Sequence, residues 1–235
     1  MTKVVVINGS QRMEKSNTSF VLTPFIEGMK KAGASVEQYF TKKLKILPCT
    51  GCFKCWFETF GECFIQDGMQ DLYLKLKEAD ILVFATPVYI PLPGSFQNFL
   101  NRLCPIVEPI LEYRNGRTRA KLNDDVKISK FVSVVLGGWW EKENLDIATK
   151  VIEELAMTTS VEYSGAILRP HVGKLREDTD KNKEIIKVLE EVGFQLISNG
   201  KMDEKNLDFI SQPLVNKDQY LEQQNRGYLE AKNKI

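Results

Sequence analysis

Apolar positions along this chain follow two rhythms that keep exchanging places. Lys3 to Ile7 (KVVVI) is a short β-branched run that stops at Asn8-Gly9-Ser10; such a run suits a strand buried on both faces. After a polar loop, Thr18 to Lys31 carries apolar residues at helical spacing, with Phe20, Val21, Phe25 and Met29 on or near one face and Gly33 closing it. The same reading predicts strands over Ser35–Phe40, Asp80–Ala85, Lys127–Leu136 and Val161–Leu168. It predicts helices over Asp67–Glu78, Gly94–Arg102, Glu141–Thr158 and Lys181–Asn199. Gly200 caps the last, because a residue without Cβ takes the left-handed conformation at low cost.

Strands alternating with helices predict a parallel sheet with helices on both faces. Five strands point to a flavodoxin-like doubly wound α/β sheet of order 2-1-3-4-5 rather than a six-stranded dinucleotide fold. Residues 1–200 are expected to form that domain. Pro105 to Asp125, with Arg114, Arg117, Arg119 and Lys121, reads as an inserted loop. From Lys201 the composition turns polar, and residues 201–235 read as a tail of short helices that packs on the domain or on a partner subunit.

Composition narrows the class. The chain is 43% apolar and 27% charged, as a soluble globular protein is. Its 32 basic residues against 31 acidic ones leave a net charge of +1, which argues against a nucleic-acid binder driven by a basic field. No apolar run reaches the roughly 18 residues of a membrane span, and no signal peptide is evident. A cytoplasmic, reducing compartment is expected, which disfavours a structural disulfide framework.

In an open parallel sheet, ligands bind beyond the carboxyl ends of the strands where the order reverses. Three loops of unusual composition begin there. The first, NGSQRMEKSNTSF, lacks both a dinucleotide fingerprint and a nucleoside-triphosphate loop, yet sets Ser10, Arg12, Ser16, Asn17, Thr18 and Ser19 before a helix. Hydroxyls and free N–H groups at a helix N-terminus suit a terminal phosphate, and equally suit simple capping. The second, TPVYIPLPGSFQNFLNR, offers Pro87, Val88, Tyr89 and Ile90 as a rigid apolar edge for a flat ring. The third, LGGWW, offers close backbone approach at Gly137 and Gly138, with Trp139 and Trp140 able to cover a ring. Each alone also reads as an ordinary turn.

Four of the five cysteines fall in PCTGCFKCWFETFGECF, spaced Cys49-x2-Cys52-x2-Cys55-x7-Cys63. Three thiols at three-residue steps with a fourth further on suit a Cys₄-ligated iron–sulfur cluster. Structural zinc more often uses two separated pairs. A metal-free aromatic loop and a catalytic disulfide remain open alternatives. Cys104 reads as a buried helix-end thiol, and His171, the only histidine, as structural or near the ring's rim.

On NGSQR with NTSF, the cysteine block, CFIQDGMQDLYLKLKEADILVFATPVY and the helix ending in Asn101-Arg102, the chain resembles the NAD(P)H-dependent FMN reductases of flavodoxin-like fold, and among them the iron–sulfur flavoproteins. The resemblance covers roughly residues 3 to 170. It implies FMN, with the phosphate held by Ser10, Arg12, Asn17, Thr18 and Ser19. The ring would lie against Pro87, Val88, Tyr89 and Ile90, closed by Gly137 and Gly138. It implies a [4Fe–4S] cluster on Cys49, Cys52, Cys55 and Cys63, and NAD(P)H as co-substrate. Electrons would pass to a small-molecule acceptor or, through the cluster, to a ferredoxin-like protein; the alternative is an electron carrier without nicotinamide activity. No catalytic side chain is assigned, and a homodimer or homotetramer is expected. The chain departs from relatives at Asp67-Gly68, where two aspartates are common, and at Gln97 or Asn98, where a lysine often stands.

Overall fold

The β-branched runs become the strands of one parallel sheet in a computed structural model that describes Met1–Asn233. In chain order the elements are β1 (Lys3–Asn8), α1 (Asn17–Lys31), β2 (Ser35–Phe40), α2 (Thr41–Leu44), α3 (Lys54–Phe57), α4 (Met69–Glu78), β3 (Ile81–Pro87) and α5 (Gly94–Asn101). They continue with β4 (Val107–Arg114), β5 (Arg117–Leu122), β6 (Lys130–Leu136), α6 (Asp146–Thr159), β7 (Glu162–Arg169), α7 (Asp180–Ser198), α8 (Glu204–Ser211) and α9 (Lys217–Lys232). The large sheet runs β2-β1-β3-β6-β7, all parallel, which is the expected 2-1-3-4-5 order.

Strand alternation divides the core in two. Val4 and Val6 of β1 point with Val83, Val132 and Ile167 toward α1 and α7, where Phe25, Met29, Leu189 and Val192 meet them. Val5 and Ile7 point the other way, with Leu82, Phe84 and Phe131, toward Leu72, Leu76, Phe96, Phe99 and Ile152 of α4, α5 and α6. Helices α1 and α7 cross with their backbones in contact. A Cβ on Gly28 would stand 1.8 Å from the Glu190 carbonyl oxygen, and one on Gly193 would stand 2.1 Å from that of Phe25.

Pro105 to Asp125, expected as an inserted loop, is largely strand. It contains the antiparallel hairpin β4–β5, turning at Asn115-Gly116 with φ of 51° and 76°. An Asn-Gly pair is a two-residue hairpin signal, because both positions need the left-handed region. The basic residues assigned to a loop fasten the hairpin to α6. Arg114 donates to the carbonyls of Met157 and Thr158, and Arg119 donates to the Thr158 hydroxyl at 3.0 Å and to Glu154 at 3.3 Å. In the tail, α8 packs on β7 and α7, with Ile210 fully buried. No helix among the described residues is long and apolar enough to cross a membrane.

One buried ion pair joins the end of α5 to the start of α4 and to the segment between α2 and α4. Arg102, at the end of α5, and Asp67, just before α4, have side chains 1% and 6% exposed, with 2.8 Å between Nη1 and Oδ2. The Arg102 guanidinium also donates to the carbonyls of Leu47 and Ile65. Asp67 accepts from the backbone N–H groups of Leu47 and Met69 at 2.8 and 3.0 Å. Both ends of the cysteine segment are therefore tied to one pair. Burial works against the Asp67 charge, but the hydrogen bonds from Arg102, Met69 and Leu47 outweigh it and hold its pKa below the ordinary carboxylate value. Gly68 is explained by the same packing: a Cβ there would stand 2.3 Å from the Leu44 carbonyl oxygen.

Removing one partner of such a pair leaves an unpaired buried charge, at a cost of about 3–5 kcal/mol. Asp67→Ala is expected to lose stability on that scale in urea denaturation, with faster amide exchange at Leu47 and Met69. A loss under about 1 kcal/mol, the range of surface pairs, would show that the pair does not carry this load.

Candidate functional site

The three loops leave neighbouring strands at one edge of the sheet. Asn8 pairs with Ala85 and Pro87 with Leu136. The ladder continues past the strand ends: Gly9 N–H donates to the Ala85 carbonyl and Val88 N–H to that of Leu136, both at 2.8 Å. Gly9 is needed for this course, since a Cβ would stand 2.6 Å from the Phe96 ring.

The first loop is laced by its own polar groups. Asn8 Oδ1 accepts from Ser10 N–H at 3.0 Å, and Asn8 Nδ2 donates to the Ser19 hydroxyl at 3.1 Å. Ser16 is the N-cap of α1, its hydroxyl accepting from Ser19 N–H at 3.0 Å. The N–H groups of Asn17 and Thr18 lie before the first intrahelical bond and point out of the helix start. Ser10 and Thr18 are buried, whereas Arg12 is exposed. Asn17 Oδ1 accepts from Arg176 Nε at 2.7 Å, and Arg176 also lies over the Phe20 ring, 4.5 Å from its centroid. Arg176, from beyond β7, is a cation at this helix N-terminus that no local motif announces.

The second and third loops face each other across a cavity of about 270 Å³, lined by Val88, Tyr89, Gly137, Gly138, Trp139, Asn144 and Leu145. Pro87 and Val88 are half-buried, while Tyr89 is 52% and Ile90 99% exposed. Gly137 again permits close packing, with 2.6 Å to Leu145 for an added Cβ; at Gly138 an added Cβ meets nothing within 4 Å. The two tryptophans part company. Trp139 is exposed on the cavity, whereas Trp140 turns toward the tail and donates from Nε1 to the Val215 carbonyl at 2.9 Å.

Behind the third loop lies a second buried cation. Arg169, fully buried, donates to the carbonyls of Pro170, Ile210 and Gln212, the last two at the carboxyl end of α8. Burial lowers its pKa to about 10. His171 is 1% exposed and accepts at Nε2 from the Leu214 N–H at 3.0 Å. Its ring proton therefore sits on Nδ1, which faces the Trp140 carbonyl at 3.2 Å. Tyr220 of α9 donates its hydroxyl to the Gly138 carbonyl. His171 is thus structural, and the tail reaches the third loop; nothing in the sequence around Tyr220 signals that contact.

All five cysteines are free and line one cavity of about 460 Å³, together with Phe53, Phe64, Ile65, Leu100, Arg102 and Pro105. Cys49 and Cys52 are exposed, while Cys55, Cys63 and Cys104 are half-buried. Cys104 therefore belongs with the block rather than apart from it. Gly51 and Gly61 turn the segment with φ of 66° and 91°. Trp56 Nε1 donates to the Cys104 carbonyl and Gln70 Nε2 to that of Cys63, at 2.8 and 2.9 Å. Burial, then the neighbouring thiols led by Cys104, push the Cys55 thiol up to about 11. At exposed Cys52, the Lys54 N–H and then the Thr50 hydroxyl draw the pKa down. Among the described residues, no three His, Cys, Asp or Glu side chains are gathered closely enough to hold a metal ion. The donor set fits an iron–sulfur group in kind and in facing a common cavity, but the thiols stand apart.

Arg102 and Asp67 carry no sequence motif. A signal existed: Phe96, Phe99 and Arg102 fall on one helical face at three-residue steps, so an arginine on an apolar stripe required a buried anion.

The family model described as NADPH-dependent FMN reductase matches residues 2–122, more than half of the chain. An iron–sulfur flavoprotein of Archaeoglobus fulgidus is 29% identical over 142 residues, 58% of this chain and 63% of the relative. One of Methanosarcina thermophila is 31% identical over 88 residues, 37% of this chain and 44% of the relative. The matched stretches thus span less than two thirds of these relatives. Among solved structures, an FMN-dependent NADH-azoreductase of Bacillus anthracis, in complex with FMN, superposes with a TM-score of 0.58 at 14% identity, covering 84% of this chain and 100% of that one. An NAD(P)H:quinone oxidoreductase of Methanothermobacter marburgensis gives 0.55 at 16% identity, over 83% and 96%. At these identities the likeness establishes the flavodoxin-like fold.

Burial holds the His171 pKa down to about 4, below its value of about 6.5 in the unfolded chain. The unfolded state then binds the proton first as pH falls. The stability His171 contributes is complete above pH 6.5 and is lost as pH drops toward 4, on the order of 3 kcal/mol in all. Urea midpoints of the wild type and His171→Asn, compared from pH 7.5 to 4, are expected to show a steeper decline in the wild type. Parallel curves would remove His171 from the account.

Proposed function

This chain belongs to the NADPH-dependent FMN reductase family, and on that footing we propose that it is an FMN-dependent NAD(P)H oxidoreductase. The observation that carries the proposal is the meeting of three loops at one sheet edge. A polar loop at a helix N-terminus lies on one side, and an open, largely apolar groove on the other. FMN has that bipartite shape, with a phosphate at one end and a flat ring at the other.

Ser10, Arg12, Asn17, Thr18 and Ser19 hold the phosphate in this reading. The Asn17 and Thr18 N–H groups and the positive end of α1 favour a dianion, and Arg176 adds charge beside Asn17. Pro87, Val88, Tyr89 and Ile90 support one edge of the ring, while Gly137 and Gly138 leave the opposite side clear. FMN, when bound, supplies the acceptance of hydride from reduced nicotinamide and the release of electrons one or two at a time. The protein's task is placement and access: Tyr89, Ile90 and Trp139 border the opening through which a nicotinamide or a small acceptor arrives. No side chain is needed as acid or base.

Cys49, Cys52, Cys55 and Cys63 are assigned to a [4Fe–4S] cluster, supported by their shared cavity and by the iron–sulfur flavoproteins among the relatives. Such a cluster supplies one-electron transfer to a ferredoxin-like protein. The assignment also accounts for a paired clamp on the cysteine segment, since ligands must be held against the repulsion of four thiolates. The proposal further takes residues 1–200 as the flavin-binding domain and residues 201–235 as a packing tail. It also includes a cytoplasmic location that keeps the five thiols reduced, and a dimer or tetramer through exposed apolar residues such as Phe57, Phe60 and Tyr113.

An anaerobic absorption spectrum with iron and sulfide analysis, followed by NAD(P)H oxidation, tests the reading. Flavin bands, a broad brown shoulder, about four irons per chain and steady oxidation of NADH or NADPH are expected. Flavin without iron would leave a metal-free reductase; flavin and iron without nicotinamide oxidation would leave an electron carrier; a colourless protein that takes up no FMN would sink the proposal. Thr18→Val, which deletes a buried hydroxyl at the phosphate end, is expected to weaken FMN binding about tenfold, the worth of a hydrogen bond to a charged group.

A further inference from the structure

Arg176 stands at the end of a short helical turn, Val172–Arg176, that follows β7. Its Nε–H donates to Asn17 Oδ1 at 2.7 Å, and its Nη2 donates to the carbonyl of Ser16 at 3.1 Å. The guanidinium also lies over the Phe20 ring, 4.5 Å from its centroid. These contacts fix its plane on the flank of the first turn of α1, against a residue 159 positions away in sequence.

A guanidinium has donors only, whereas a primary amide has an oxygen that accepts and a nitrogen that donates. The oxygen of Asn17 must therefore face Arg176, and Nδ2 is turned away from it. Among the described residues that Nδ2 has no hydrogen-bond partner, yet it is not closed off from the surface. A second observation points the same way. Thr18 is 2% exposed, its hydroxyl has no partner among the described residues, and it too opens to the surface. A polar side chain so buried and left unpaired calls for a partner from outside the chain. Beside these two groups lie the Asn17 and Thr18 N–H groups, which precede the first intrahelical bond. The start of α1 thus gathers uncommitted donors, which suits an anion with several oxygens.

We propose that Arg176 is a positioning residue for the phosphate of the flavin nucleotide: by engaging Asn17 Oδ1 it presents Asn17 Nδ2 to a phosphate oxygen, and it acts through that amide rather than as a bound cation. The proposal rests on the phosphate end assigned above. Without Arg176 the amide turns freely, and its oxygen faces the dianion as readily as its nitrogen does. With Arg176 in place the donor is preset, and binding bears no cost of ordering it.

Arg176→Lys keeps the charge but has a single nitrogen where the fork met Asn17 and Ser16. The variant is expected to bind FMN about tenfold more weakly, the worth of a hydrogen bond to a charged group. Its affinity for riboflavin, which has no phosphate, is expected to be unchanged. Asn17→Ala is expected to lose FMN affinity to the same extent, and Arg176→Lys added to it to cost nothing more, as for two residues acting through one contact. Three results each overturn the proposal: wild-type FMN affinity in Arg176→Lys, equal losses for FMN and riboflavin, or losses that multiply to about a hundredfold in the double variant. Should Arg176→Lys not fold, the wild type labelled with 15N-asparagine decides. The side-chain amide resonance missing from Asn17→Ala is expected to shift with FMN and to stay in place with riboflavin; if neither moves it, the proposal is overturned. A wild type that takes up neither flavin removes the function proposed above, and this role with it.

Discussion

The contact between Arg102 and Asp67 is where the two halves of the functional surface are joined. Helix α5 follows the Tyr89 loop, and the cysteine segment precedes α4; without a link these would be two independent excursions from the sheet. A bidentate pair inside the protein fixes distance and plane together, because a guanidinium and a carboxylate match only in a narrow range of geometries. Its cost is the burial of two charges, offset by carbonyl and amide partners at Leu47, Ile65 and Met69. Hydrophobic residues of similar volume could fill the same space, but would not orient the segment that carries the thiols.

A second buried cation repeats the arrangement on the other side of the sheet. Arg169 binds the carboxyl end of α8, where the helix dipole is negative, and His171 beside it stays neutral and accepts from Leu214. The two residues bring the tail back against Trp140 and Gly138. The tail therefore shapes the third loop, although the polar composition of residues 201–235 gives no sign of it.

Between these anchors the loops at the sheet edge remain open and apolar. Tyr89, Ile90 and Trp139 are exposed large side chains, whereas Phe84, Phe96, Phe99 and Phe131 are buried together in one aromatic cluster. Exposed apolar groups beside a groove are a general signal of a ligand or interaction site. The cysteine segment shows a similar exposure at Phe53, Phe57, Phe60 and Phe64.

By itself the sequence determined the parallel sheet, its order and the three loops, because those follow from local periodicity and from the rule that crossovers return to the same sheet end. It also carried the hairpin in Asn115-Gly116, a signal overlooked beside a run of basic residues. The partner of Arg102, the tautomer of His171, the presence of Cys104 beside the four spaced cysteines and the reach of Tyr220 to Gly138 were decided only in three dimensions. Each joins residues 31 to 82 positions apart, or sets them around a shared cavity. Propensity and spacing act over a few residues, whereas a buried charge, a closed hydrogen-bond network or a common cavity exists only once distant segments have been packed together.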